Sequence, residues 1–301
     1  MIIAGILAAV AEGIITYFLL SFFNLPFILI YILLPLFWLV QWILGPYLVG
    51  RRATEIGPND VAYGWVYNIV KEIAEKSKIK PPRVFISDDP FPNAFAYGNY
   101  ITGKRVAITR PLLNILTDEE LKAVIAHEIG HIKHFDVEIG MAIGLIPSAL
   151  GFISNLLLNF GWIALLFAVD EYALLLGIIM IAVGFLLLAL TILINIFVLW
   201  FNRLRESYAD YHAVTLFKSQ AWNLATALAK IQIYMQNVRV DPFTGIILTV
   251  PPMKIRETDP NELLNKWLNQ NVSPFADVLM THPHPARRVQ LIYKLAFSEV
   301  R

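Results

Sequence analysis

The sequence predicts a mainly α-helical membrane protein in which four transmembrane helices carry a cytosolic α+β domain with a small sheet. Three observations lead there. Long stretches contain no charged side chain, residues 127–131 read His-Glu-Ile-Gly-His within a well-marked amphipathic helix, and short segments near residues 83 and 105 alternate as β-strands do. Hydrophobic residues make up 57% of the chain and charged residues 16%, against roughly 25% charged in an ordinary soluble domain.

The spans come first along the chain. Gly13 to Gly50 holds no charge and is interrupted at Asn24-Leu25-Pro26, which predicts helices at about 2–23 and 27–49 joined by a tight turn. Glu12 falls inside the first and is expected near the cytoplasmic interface. Ile139 to Val169 and Tyr172 to Asn202 are also uncharged and are separated by Asp170-Glu171. They predict spans at about 139–158 and 174–200 around a short apolar connection. The apolar stretch before Ala9-Val10-Ala11 is too short, and has no positive side chain ahead of it, for a cleavable signal peptide. The first span is therefore expected to be retained.

Charge placement orients these spans. Arg51, Arg52, Lys133, Arg203 and Arg205 flank them on one side, and Asp170 and Glu171 lie on the other. The positive-inside rule then puts both termini and both polar segments in the cytoplasm, with the lipid bilayer as a constant partner. The chain has no cysteine, in keeping with a reducing compartment. A net charge of +1 argues against a nucleic-acid partner.

The pentapeptide carries the chemistry. Thr117 and Glu120 form a capping-box pattern, Asp118 and Glu119 suit the positive end of a helix dipole, and Leu121, Val124, Ile125 and Ile129 recur at helical spacing. The helix should begin near residue 118 and carry His127 and His131, four positions apart on one face, where both can share a metal ion. Glu128 beside them is placed to act as general base on water at that metal, as in a zinc metalloprotease. A catalytic site of this kind needs a third ligand. A third histidine in the metzincin position is ruled out by His134 and Val137, and Asp136 and Glu138 follow too closely on the same helix to come round to the metal. Asp170 and Glu171 should lie across the membrane. Glu206 and Asp210 remain, four apart on one helix face, so that one can bind the metal while the other holds a ligand in place.

The polar segments 51–138 and 203–301 are expected to fold together as one catalytic domain, interrupted by the membrane hairpin 139–202 and preceded by the hairpin 1–50. Arg83–Ser87 and Arg105–Thr109 predict strands, with Asn93 to Tyr100 as another between them and Gly103 in the turn after it. A sheet edge there can pair with an extended peptide, or it can be an ordinary hairpin packed on the core.

Together, His127-Glu128-Ile129-Gly130-His131, a two-span hairpin, and Arg203-Leu204-Arg205-Glu206-Ser207-Tyr208-Ala209-Asp210 resemble the HtpX family of membrane zinc endopeptidases, related to the CAAX prenyl endopeptidases. Asn93-Ala94-Phe95 and Thr281-His282-Pro283 with Arg288 match two further family segments. The resemblance implies a zincin-like metalloprotease domain that cleaves membrane or misfolded polypeptides at the cytoplasmic face, in protein quality control. It implies one Zn2+ per chain held by His127, His131 and Glu206, with Asp210 as the supporting acid and Glu128 as the general base. By analogy with a movable histidine in relatives, His282 donates to the oxyanion, and Asn93, Ala94 and Phe95 form the substrate strand. The chain departs from the family pattern at Asn202, Ser207 and His284, which bears on substrate more than on metal.

Tyr208 and Tyr211 are further candidate donors, whereas His134, His212 and His284 are expected at the surface or an interface. Asp241–Asp259, rich in Pro and apolar residues, reads as a lid or membrane-skimming loop over the cleft, or as a plain surface loop. Two other classes compete. An intramembrane protease of the site-2 type is disfavoured by the charged run Asp118–Lys122 next to the motif. A four-span scaffold or transporter with a structural metal site would normally use four ligands, often cysteines, and this chain has none.

Overall fold

The computed structural model describes residues 30–236, 238, 248–249, 253, 255–273, 275–278, 280 and 282–297. The expected first span, Glu12, most of the 241–259 stretch and Thr281 lie outside the described residues. In chain order the elements are α1 Ile30–Val49, β1 Ala53–Ile56, α2 Gly64–Lys76, β2 Arg83–Ser87, β3 Ala94–Asn99, β4 Gly103–Thr109, α3 Arg110–Ile115, α4 Asp118–Lys133, α5 Asp136–Leu166, α6 Glu171–Leu216, α7 Trp222–Met235, α8 Pro260–Asn269 and α9 Pro285–Phe297.

The strands form one sheet in the order β1-β2-β4-β3. β2 and β4 run parallel, while β3 lies antiparallel to β4 and ends the sheet. Alternation divides the faces. Val84, Ile86, Val106, Ile108 and Ala94 turn toward the helices and join the main core with Leu121, Val124, Ile125 and Ile129 of α4. Phe85, Phe95, Tyr97 and Ala107 form a small cluster on the other face. There the Arg105 guanidinium lies 4.8 Å from the Tyr47 ring centroid and 5.6 Å from that of Phe85.

α4 begins where its sequence directs. The Thr117 hydroxyl accepts from the Glu120 amide at 3.3 Å, and the Glu120 carboxylate accepts from the Thr117 amide at 2.8 Å. Such a cap is worth about 1 kcal/mol. The helix stops at Lys133, and Phe135 takes a left-handed conformation (φ 57°) before α5 opens at Asp136. Asp136 and Glu138 therefore sit on a new helix, not on the same one as the histidines.

Two described helices contain segments long and apolar enough to cross a membrane, Ile146–Leu166 within α5 and the long α6. α1 falls within the second expected span. The third expected span shifts: α5 continues through Pro147 to Leu166, and only Phe167–Asp170 separate it from α6. Counting from the first uncharged residue placed that span too early, because the first turns of α5 are anchored by Asp136 and Glu138 among polar groups. Residues 202 and 203, expected as a boundary, lie inside the unbroken 46-residue helix α6.

α4 and α6 meet at close quarters. A Cβ on Gly130 would lie 3.2 Å from Ala209 Cα and 3.2 Å from His212 Cβ. The glycine of the pentapeptide thus lets α6 approach near enough for its side chains to reach those of α4.

Candidate metal centre

α4 presents His127 and His131 one turn apart, their Nε2 atoms separated by 3.2 Å. α6 brings Glu206 against them: Oε2 is 3.6 Å from His127 Nε2 and Oε1 is 3.5 Å from His131 Nε2. One ligand atom from each of the three residues lies within 4.8 Å of the others. A tetrahedral cation bound at about 2.0–2.1 Å has donors about 3.3 Å apart, so these separations suit one. Glu206 Oε2 is buried and has no hydrogen-bond partner among the described residues, an orphan that a cation would satisfy.

Carboxylates behind the rings fix which nitrogens face inward. His127 Nδ1 lies 2.9 Å from Asp210 Oδ1, and His131 Nδ1 lies 2.6 Å from Asp136 Oδ2. His131 Nδ1 is hydrogen-bonded to its acid and His127 Nδ1 lies in ion-pair contact with its own, so both rings turn Nε2 toward one point. Arg288 of α9 braces this arrangement. Its Nε and Nη2 donate to Asp210 at 2.9 and 2.7 Å, and its Nη1 donates to the Thr249 carbonyl at 2.7 Å. Nη1 also lies 3.5 Å from Glu206 Oε2.

The electrostatics match a cation-binding cluster. Burial disfavours a charged His127, but Asp210 and Glu206 outweigh it and push His127 up to about 10. Burial likewise raises Glu206, yet His282, His127, His131 and Arg288 hold it well below the usual carboxylate range. Burial raises Glu128 above its ordinary value, against the opposing pull of the two histidines.

Glu128 itself is tied to the sheet. Its Oε2 accepts from the Ala96 amide of β3 at 2.8 Å. The Thr249 amide donates to Asn93 Oδ1 at 2.9 Å, and the one proton of its hydroxyl is shared between Asn93 Oδ1 and the neighbouring Ala94 carbonyl, each 2.9 Å away. Ala94 and Ala96 therefore direct backbone groups away from β4, along the outer edge of the sheet, while Phe95 lies in the small cluster on the far face. His282 reaches the same centre from just ahead of α9, its Nε2 3.7 Å from Glu206 Oε1. Burial lowers His282, although Glu206 works the other way.

Other expectations are corrected. His212 and His284 are buried, not surface residues. His212 Nε2 lies 3.0 Å from the Ser77 hydroxyl, and burial pushes it down to about 4. His284 Nδ1 accepts from the Ala286 amide at 3.1 Å, so the residue capping α9 is His284, two places after His282. Tyr208 and Tyr211 are exposed, and the Tyr208 ring stands 6.2 Å from that of His134. Sequence reasoning gave no role to Asp136 or Arg288. Asp136 was hidden by the assumption of one continuous helix. Arg288 was visible only as part of a motif, since no spacing rule links it to residues 78 or more positions away.

The sequence matches the profile of peptidase family M48 over residues 61–296. A protein from Sulfolobus acidocaldarius named Protease HtpX homolog 1 is 59% identical over 297 residues, covering 98% of this chain and 95% of its own. A protein of that name from Saccharolobus solfataricus is 58% identical, covering 99% and 96%. Protease HtpX homolog from Thermoplasma volcanium is 41% identical, covering 97% and 92%. The crystal structure of S. mikatae Ste24p superposes with a TM-score of 0.56 at 20% identity. It covers 96% of this chain, which spans 64% of Ste24p, and shows a shared fold.

Proposed function

The chain belongs to peptidase family M48, as a metallopeptidase among the HtpX proteases, and we propose that it is a membrane-anchored zinc endopeptidase acting at the cytoplasmic face on membrane or misfolded proteins. The observation that carries this reading is the convergence of His127, His131 and Glu206 beside Glu128, whose carboxylate is tied to the edge strand β3. Among the described residues the converging donors are two imidazoles and one carboxylate, and with no cysteine in the chain they fit a catalytic zinc better than a structural one. The charge asymmetry around the spans supports the cytoplasmic orientation, and the apolar stretches of α5 and α6 support a multi-pass anchor.

A bound zinc supplies Lewis acidity, polarising the scissile carbonyl and making water deprotonable near neutral pH. The protein does the rest. His127 and His131 would hold the ion with rings positioned by Asp210 and Asp136, and Glu206 would complete the set. Glu128 takes the proton of the attacking water and returns it to the leaving amine; its raised affinity for protons suits both steps. His282 donates to the oxyanion that develops on the substrate. Asn93, Ala94 and Phe95 begin the strand on which the substrate lies: an extended peptide that displaced Thr249 would find the outward Ala94 carbonyl free to pair, next to the Ala96 amide that holds Glu128.

The test uses detergent-purified protein, metal analysis and casein cleavage, with chelation and zinc re-addition. Glu128→Gln should keep its metal and lose about 10²–10⁴-fold in rate, while Glu206→Ala should lose metal and activity together. Full activity in the first variant would remove the mechanism. Normal metal content in the second would remove Glu206 as a ligand.

A further inference from the structure

We infer that the tip of the β3–β4 hairpin is immersed in the lipid bilayer, so that β3 leads a polypeptide segment from the lipid directly to the metal centre. This rests on the endopeptidase reading above, with α1 and α5 as membrane helices, and names its substrate class: chains whose cleavage site emerges from the bilayer.

The hairpin tip is built unlike an aqueous turn. Tyr100 and Ile101, 88% and 65% exposed, stand side by side where a soluble hairpin carries Asn, Asp or Gly. No charged residue falls between Asn99 and Gly103. The tip is nevertheless ordered around Asn99, which is fully buried. Its Oδ1 accepts from the amides of Ile101 and Thr102 at 3.0 and 2.7 Å, and its Nδ2 donates to the Trp42 carbonyl of α1 at 2.6 Å.

That last bond sets the depth. Trp42 precedes Val49, the end of α1, by about 10 Å of helix axis. The hairpin runs back alongside α1: Tyr97 crowds Gly50 and Arg105 stacks on Tyr47, whereas Asn99 has already reached Trp42. On its other side, Lys104 pairs with Glu138 in the first turn of α5 and lies 5.5 Å from the Phe135 ring centroid. Lys104 and Glu138 form a charged layer about 12 Å of helix axis ahead of Ile146, where the apolar part of α5 begins, and Tyr100 and Ile101 extend past it. An exposed aromatic beside an aliphatic at this level is the pattern of an interfacial anchor.

The functional consequence follows from the strand. From Tyr100 to Ala96, whose amide holds Glu128, is about 13 Å of extended chain. A segment leaving the bilayer in extended form can follow β3 over that distance, as far as the half-buried Ala96, without first exposing its backbone to bulk water.

Because the chain has no cysteine, single labels test the geometry in the full-length protein. Ile101→Cys carrying an environment-sensitive fluorophore, in phosphatidylcholine vesicles, should emit as in an apolar medium and be quenched by spin-labelled lipid. Val61→Cys, at a fully exposed position, should do neither. Aqueous emission from position 101 would overturn the inference. In the second arm, Ile101→Asp should lower cleavage of a bilayer-inserted substrate in vesicles roughly tenfold, with less than about a twofold change on casein in detergent. Equal losses on both substrates, or none on the inserted one, would refute the proposed route. If the unaltered protein cleaves neither substrate, the endopeptidase reading fails, and the fluorescence alone still decides whether the tip sits in lipid.

Discussion

Arg288 offers the sharpest energetic test. Its guanidinium and the Asp210 carboxylate are both buried, joined by two hydrogen bonds of 2.9 and 2.7 Å, and Asp210 lies 2.9 Å from His127 Nδ1. Removing one member leaves an uncompensated charge in a dry site, which costs roughly 3–5 kcal/mol. Arg288→Met and Asp210→Asn should each destabilise the fold by about that much. The double variant should cost less than their sum by about 2 kcal/mol or more, because neither charge is then stranded. The assay is denaturant unfolding in detergent with chelator present, so that metal binding does not add its own stabilisation. Metal affinity gives a second readout: losing the acid that orients a ligating ring costs about 10–100-fold, or about 1.4–2.7 kcal/mol. Additive single effects would show that the pair does not act as a unit. Undiminished metal affinity in Asp210→Asn would show that the acid does not position His127.

Two further outcomes follow from groups outside the centre. His212 is held neutral in the fold, down to about 4, while an unfolded chain takes up its proton near 6.5. Its stabilising contribution is complete above about pH 6.5 and is lost progressively toward pH 4, by up to about 3 kcal/mol. The unfolding midpoint of His212→Gln should therefore vary less over that interval, and superimposable pH profiles would contradict this. Gly98 has φ +109°, and a Cβ there would collide with the Gly103 carbonyl oxygen across the hairpin. Gly98→Ala should cost about 2 kcal/mol or more by equilibrium unfolding, and a change within about 0.5 kcal/mol would mean the turn adapts freely.

What could be read in the chain was what local rules govern. The capping box, the apolar spacing and the paired histidines all describe one helix, so α4 could be read from Thr117 onward. Alternation in Arg83–Ser87 and the Gly103 turn located β2 and the hairpin, and the closely spaced Glu206 and Asp210 shared a helix face. Long-range geometry had no such signal. Phe135 breaks the helix in a left-handed conformation that its bulk does not advertise, and only after that break does Asp136 come to face His131. β1 is four residues long and half exposed, too short for alternation to register. The buried Ser77–His212 pair joins residues 135 positions apart, which makes a histidine look like a surface residue until its partner is known.

The continuity of α6 has a mechanical meaning. Glu206 lies on the same uninterrupted rod as the apolar residues before it, about 7–8 Å beyond Phe201 along the axis. With that apolar length seated in a bilayer, the working height of the enzyme is written into backbone geometry and needs no hinge or linker to set it. Nor can it be retuned in small steps: one inserted residue would raise the carboxylate by about 1.5 Å but swing it about 100° around the axis, away from the two imidazoles.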